Sequence, residues 1–226
     1  VPLFERSVEK DPNYDRAWND LGTAQAQLGR YDEAAASFAR AIESEPRLLS
    51  AWLNLAMALR RDGRSEESLA VLNEAAEVFA EQTGRVRLDM ARTLASMQRF
   101  DEAESVLSEM IDQGHTAGVV WATLGQVRES RGNGRGAKQA YLNAMSDPFG
   151  RADVARRLAW LLATWPSEAV RDPKMAVQIA RDLVRQRDAT FRDHDILAAA
   201  LASAGKFDEA IPILERAIEA APADGP

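Results

Sequence analysis

The chain has 226 residues, 46% hydrophobic and 28% charged, with 28 Lys+Arg against 35 Asp+Glu for a formal charge of −7. This composition supports a packed core and rules out intrinsic disorder, while the acidic balance opposes phosphate backbones and anionic membranes, so no nucleic-acid partner is expected. The absence of cysteine excludes disulfides, thiolate zinc sites and cysteine nucleophiles, and no apolar run approaches the roughly 18 residues of a membrane span.

The chain opens on Val1-Pro2-Leu3-Phe4-Glu5-Arg6-Ser7-Val8, which has no initiator Met and no signal-peptide apolar region, and so reads as part of a longer polypeptide. This segment aligns with Ile211-Pro212-Ile213-Leu214-Glu215-Arg216-Ala217-Ile218 near the other end. Val1–Lys10 is therefore expected to be a helix packing on the unit that follows it.

From there a repeat governs the pattern. Trp18-Asn19-Asp20-Leu21-Gly22 recurs as Trp52-Leu53-Asn54-Leu55-Ala56 and as Trp121-Ala122-Thr123-Leu124-Gly125. The small residues Gly22, Ala56, Ala91, Gly125, Ala159 and Ala198 are separated by 34, 35, 34, 34 and 39. A second set, Ala34, Ser68, Ala103, Ala137, Ala176 and Ala210, keeps the same period. Between the two lies a turn: Gly29-Arg30-Tyr31-Asp32-Glu33, echoed by Gly63–Glu67, Gln98–Glu102 and Gly205–Glu209. Glycine closes one helix there, and the acids are expected to cap the next and complement its dipole. Apolar residues keep helical spacing on both sides, as in Trp18, Leu21 and Leu28, then Ala34, Phe38, Ala41 and Ile42, with Gln25 a polar interruption. Each unit is thus predicted to be two antiparallel helices. The fifth unit has about five extra residues, expected as a loop at Trp165–Asp172 because Pro166 and Pro173 prevent helix extension.

Trp18-x2-Leu21-Gly22, Ala34-x3-Phe38, Ala41 and Pro46 together resemble the tetratricopeptide repeat. The resemblance implies an all-α fold, a right-handed superhelical solenoid of antiparallel helix pairs. It extends over 1–226 as a single domain: 1–14 is the second helix of a truncated repeat, followed by repeats at about 15–48, 49–83, 84–117, 118–151, 152–190 with the inserted loop, and 191–224. The third repeat departs from the pattern, with Arg87 in place of the recurring tryptophan. The Leu158–Thr164 helix and the Pro-bearing turn after it resemble a variant of bacterial multidomain repeat proteins.

Catalytic inventory is thin. His115 sits at a unit junction and reads as a turn residue; His194 lies between Asp193 and Asp195, whose side chains point elsewhere on a helix. Gly132-Asn133-Gly134-Arg135-Gly136 occupies the ordinary inter-helix turn, with no strand before it to make a phosphate cradle. The recurring Asp-Glu pairs follow the repeat, as helix starts do and a unique metal site would not. The reading is a protein without catalytic residues, metal or cofactor.

The remaining candidate is a surface. The family's geometry implies that the first helices line a concave groove, formed here by Asn19, Asp20, Thr23, Asn54, Met57, Arg61, Arg85, Asp89, Arg92, Thr123, Gln126, Ser130, Arg156, Arg157 and Trp160. The family's carboxylate clamp is not carried over. Asn54 matches its middle asparagine and Arg85 can stand in for its second lysine, but Asn19, Thr23 and Asp89 replace two cations and an asparagine. The arginines point to an acidic peptide or protein segment as ligand. The alternatives are a regulatory domain of a larger enzyme or membrane-associated protein, and self-association through the terminal half-repeat. Cytoplasm and periplasm are equally compatible with the composition.

Overall fold

A computed structural model describes residues 15–80, 83–148 and 150–220. The helix expected at Val1–Lys10 lies outside them. Among the described residues there are twelve helices and no strand, an all-α repeat of the helical solenoid class. The chain divides into two compact units, Val1–His115 and Thr116–Pro226. The first contains α1 (Asp15–Gln27), α2 (Tyr31–Ser44), α3 (Leu49–Arg61), α4 (Ser65–Val78), α5 (Thr83–Ser96) and α6 (Phe100–Asp112). The second contains α7 (Gly118–Ser130), α8 (Gly134–Ala144), α9 (Arg151–Thr164), α10 (Pro173–Val184), α11 (Phe191–Ser203) and α12 (Phe207–Ala220).

The turn inside five of the six pairs, all but α9 and α10, is set by one residue at positive φ. Gly29 (φ 75°) follows α1, where the Arg30 amide donates to the Gln25 carbonyl at 3.0 Å, closing the helix end. In the third pair the same place is filled by Gln98 at φ 60°, among the described residues the only non-glycine with positive φ. The acids stand in the first turn of α2, α4 and α6, where they complement the helix dipole, while the arginines preceding these helices make no side-chain cap bond. Instead Glu33, Glu67, Glu102 and Glu209 each pair with the basic residue three positions earlier, at 3.8, 2.6, 2.6 and 2.9 Å. Such exposed pairs are screened by solvent and contribute little to stability.

Within a pair, the small residue of the first helix meets a large one on the second. A Cβ on Gly22 would lie 2.7 Å from the Phe38 ring, and one on Gly125 would lie 2.5 Å from the Tyr141 ring. Where the second helix carries Leu72 or Leu107, the first carries Ala56 or Ala91. The size of one residue thus tracks the size of the other, as a close-packed interior requires. The polar interruptions are also satisfied: Ser37 donates to Gln25 at 2.7 Å, and buried Ser68 donates to the Ala56 carbonyl at 2.8 Å. Arg87, standing where tryptophan recurs, reaches Glu109 at 2.8 Å and Gln113 at 2.6 Å on and just after α6. It replaces a packing contact with an ion pair.

The extra residues of the fifth repeat fall between α9 and α10, at Trp165–Asp172, where the proline pattern places them. They do not simply bulge outward. Val170 is buried in the core beside Leu158, Leu162 and Ala176, and the Asp172 amide donates to the Leu162 carbonyl at 3.0 Å. The Trp165 indole lies against Gly134 at the start of α8, 2.3 Å from where a Cβ would stand. Asp172 then caps α10 through the Met175 amide at 3.1 Å, and Pro173 occupies the first turn, where a missing amide costs nothing.

Candidate functional site

In the first unit, α3 contacts both α1 and α5, so the first helices lie side by side. Asn54 donates to Asn19 across α1 and α3 at 3.1 Å, and the Thr23 hydroxyl donates to the Asn19 carbonyl at 2.9 Å. Asp20 is exposed beside them. The arginines divide into two kinds. Arg92 pairs with Asp89 at 3.0 Å on the same helix. Arg61 and Arg85 are exposed and make no ion pair or hydrogen bond among the described residues. Arg60 is half-buried; burial pulls its guanidinium below the usual value, Asp89 opposes this, and neighbouring Arg61 and Arg92 add to it. A guanidinium stays charged under such a shift.

Four expected residues, Thr23, Asn54, Met57 and Arg61, line one crevice of about 360 Å³ together with Ala26, Gln27, Tyr31 and Phe38. The last four carry no site signal in the repeat pattern. Tyr31 is the first residue of α2, a place that Phe100 and Phe207 hold in other repeats, so the repeat pattern reads it as packing.

In the second unit, Gln126 and Arg157 line a smaller crevice of about 170 Å³ with Val119, Ala122, Asp153 and Val154. Trp160 is 43% exposed, and Ser130 is exposed at the end of α7. Two expectations are corrected here. Thr123 is 5% exposed and its hydroxyl donates to the Val119 carbonyl at 2.8 Å, so it belongs to the packed side of α7. Arg156 is committed to α11: its Nε and Nη2 donate to Asp193 at 2.6 and 3.2 Å, and Nη1 reaches Asp153 at 3.0 Å.

Asp193 is buried and also accepts from the Thr190 amide and hydroxyl at 2.7 and 2.9 Å. Burial works against its charge, but the Arg156 and Thr190 hydrogen bonds outweigh burial and hold the carboxyl below its usual value. Tyr141, fully buried, donates its hydroxyl to Glu129. Burial and the Glu129 carboxylate push that phenol far up, with Arg157 opposing.

The histidines stay apart from these features. His194 contacts the Thr190 carbonyl at 3.0 Å, and the His115 amide closes α6 on the Met110 carbonyl at 2.9 Å. Asn133 caps α8 through the Gly136 amide at 3.0 Å, which gives the glycine-rich turn a structural task. A further crevice, of about 470 Å³, lies elsewhere, among Met145, Arg151, Ala155, Ile179, Leu183 and Gln186. Among the described residues no three acidic or imidazole side chains converge as metal ligands, and no helix is long and apolar enough to cross a membrane.

Tetratricopeptide-repeat profiles match residues 1–47, 19–83 and 194–226, and a PPR-repeat profile matches 90–115. The chain is a tetratricopeptide-repeat protein. No curated protein matches its sequence significantly. Its fold is similar to that of a thermophilic tetratricopeptide protein of Thermus thermophilus, at 18% identity and TM-score 0.67, covering 83% of this chain and 99% of that one. PilF of Pseudomonas aeruginosa is similar at 19% identity and TM-score 0.68, with 88% of each chain covered. PilW, a type IV pilus biogenesis factor, is similar at 20% identity and TM-score 0.68, covering 86% of this chain and 87% of that one. At these identities the likeness is one of fold. As a tetratricopeptide-repeat protein the chain is, in general terms, a scaffold for protein interaction, of a family generally without catalytic activity.

Proposed function

We propose that the first-helix face of α1, α3 and α5 binds an extended acidic segment of another protein, without a cofactor. One contrast carries this reading. Arg64, Arg87, Arg99 and Arg156 are all engaged by carboxylates of the chain itself. Arg61 and Arg85 project from neighbouring first helices with no such partner among the described residues, in a protein of net charge −7. Planar guanidinium groups suit carboxylates and backbone carbonyls of an extended peptide. Asn19 on α1 and Asn54 on α3, bonded to each other, supply polar surface on the same set of helices. The test is fluorescence anisotropy with a labelled oligo-glutamate peptide and the Arg61→Glu/Arg85→Glu variant. Binding that weakens with added salt and falls at least about tenfold in the variant supports the reading. Equal binding by the two proteins, or none by the wild type, contradicts it.

A second reading, self-association, is favoured by α12. Phe207, Ile211, Leu214 and Ile218 are 60, 56, 41 and 67% exposed and fall on one helical stripe. Sedimentation of the wild type and of Ile211→Glu/Ile218→Glu at rising concentration tests it; a wild type that stays monomeric contradicts it.

A further inference from the structure

We infer that the crevice beside Arg61 receives a large apolar side chain of the bound segment, so that the recognised sequence places an aromatic or long aliphatic residue next to a carboxylate. This rests on the reading of the α1, α3 and α5 face as an acidic-peptide site, and it adds a specificity that charge alone does not supply. The crevice measures about 360 Å³, the lower end of the range for small-molecule pockets and ample for a side chain. Its floor is apolar: Phe38 is fully buried with its ring against Gly22, and Ala26 packs on the same cluster. Its mouth holds Met57, 36% exposed on α3, whose unbranched thioether can adapt to different shapes.

The polar lining groups are those of Thr23, Gln27, Tyr31, Asn54 and Arg61. Thr23 and Asn54 lie on the side facing the Asn19–Asn54 bond, and Arg61 lies on the other with no hydrogen bond or ion pair among the described residues. Half-buried Arg60 adds positive potential behind Arg61. An apolar opening with the Arg61 guanidinium at its edge therefore selects a residue pair, one member desolvated and the other ionised. A basic neighbour in the ligand would be repelled, and a purely acidic ligand would leave the apolar floor facing water.

The experiment compares two labelled peptides of Glu and Ser, one with a single central Phe and one with Ala in its place, on the full chain. Expected is about tenfold tighter binding of the Phe peptide by the wild type. Ala26→Leu, which fills the crevice, and Met57→Glu, an exposed substitution that places an acid at its mouth, should each erase that preference. Circular dichroism confirms that each variant is folded, and either folded variant suffices. Equal affinity of the wild type for both peptides overturns the crevice assignment while leaving the acidic-peptide reading standing. So does a preference that persists in the folded variants. No binding of either peptide overturns both.

Discussion

The pairing of glycine with an aromatic ring in two repeats, and of alanine with leucine in two others, predicts a measurable coupling. In Gly125→Ala the new methyl would stand 2.5, 2.6 and 3.0 Å from Tyr141 Cε1, Cδ1 and Cζ, about 1 Å inside ordinary carbon contact. The ring has little room to yield, because Tyr141 is fully buried and its hydroxyl is bound to Glu129. Overpacking of this kind costs about 1–3 kcal/mol, and alanine returns about 1 kcal/mol through helix propensity, so a net loss of about 0–2 kcal/mol is expected. Tyr141→Leu alone removes a buried ring and strands Glu129, for a loss of about 3 kcal/mol. The double variant recreates the arrangement of Ala56 with Leu72 and should be less destabilised than the sum of the singles by at least about 1 kcal/mol. Urea unfolding followed by far-UV circular dichroism of the four proteins gives the coupling. Additivity to within about 0.5 kcal/mol would refute the argument that ring size sets the small residue.

Other features give sharper single tests. Gln98→Gly should stabilise by about 0.5–1 kcal/mol in urea unfolding, since Gln98 is held at φ 60°, where an L side chain is strained. Asp193→Asn should cost about 2 kcal/mol at neutral pH through loss of the charge-assisted bonds from Arg156. Because the Asp193 carboxyl is held below its usual value of 3.8, its contribution is present above that value and lost as pH falls through the lowered one. The gap between wild type and variant should therefore close in acid unfolding series. Gly134→Ala should displace the Trp165 indole from α8, read as a change in the intrinsic tryptophan emission at unchanged helix content.

The helix pairs were legible because their determinants are local: Gly29, Gly63, Gly132 and Gly205 need only their own backbone to take positive φ, and Trp52 or Leu124 need only the 3.6-residue period. The position of the inserted loop followed from Pro166 and Pro173 for the same reason. Its anchoring did not, since Trp165 packs on Gly134, which is remote in sequence. Among the candidate site residues the failures are likewise long-range or angular. Arg156 is bound to Asp193, 37 positions away. Thr123 falls with Leu124 and Gly125 on the buried side of α7, an angular placement that the repeat pattern did not resolve. Asp32 and Glu33 look like caps because composition marks a helix start, but which partner a carboxylate takes depends on side-chain rotamers. The crevice draws Tyr31 and Phe38 from α2 to residues of α1 and α3, a convergence that no single helical period displays.

The central claim is that the α1, α3 and α5 face is the binding surface, and amide shift mapping tests it most directly. On titrating a labelled chain with the Phe-containing acidic peptide, the account predicts shifts concentrated at Asn19, Thr23, Asn54, Met57, Arg61 and Arg85. Shifts confined to the second helices α2, α4 and α6, or to the exposed stripe of α12, would contradict it.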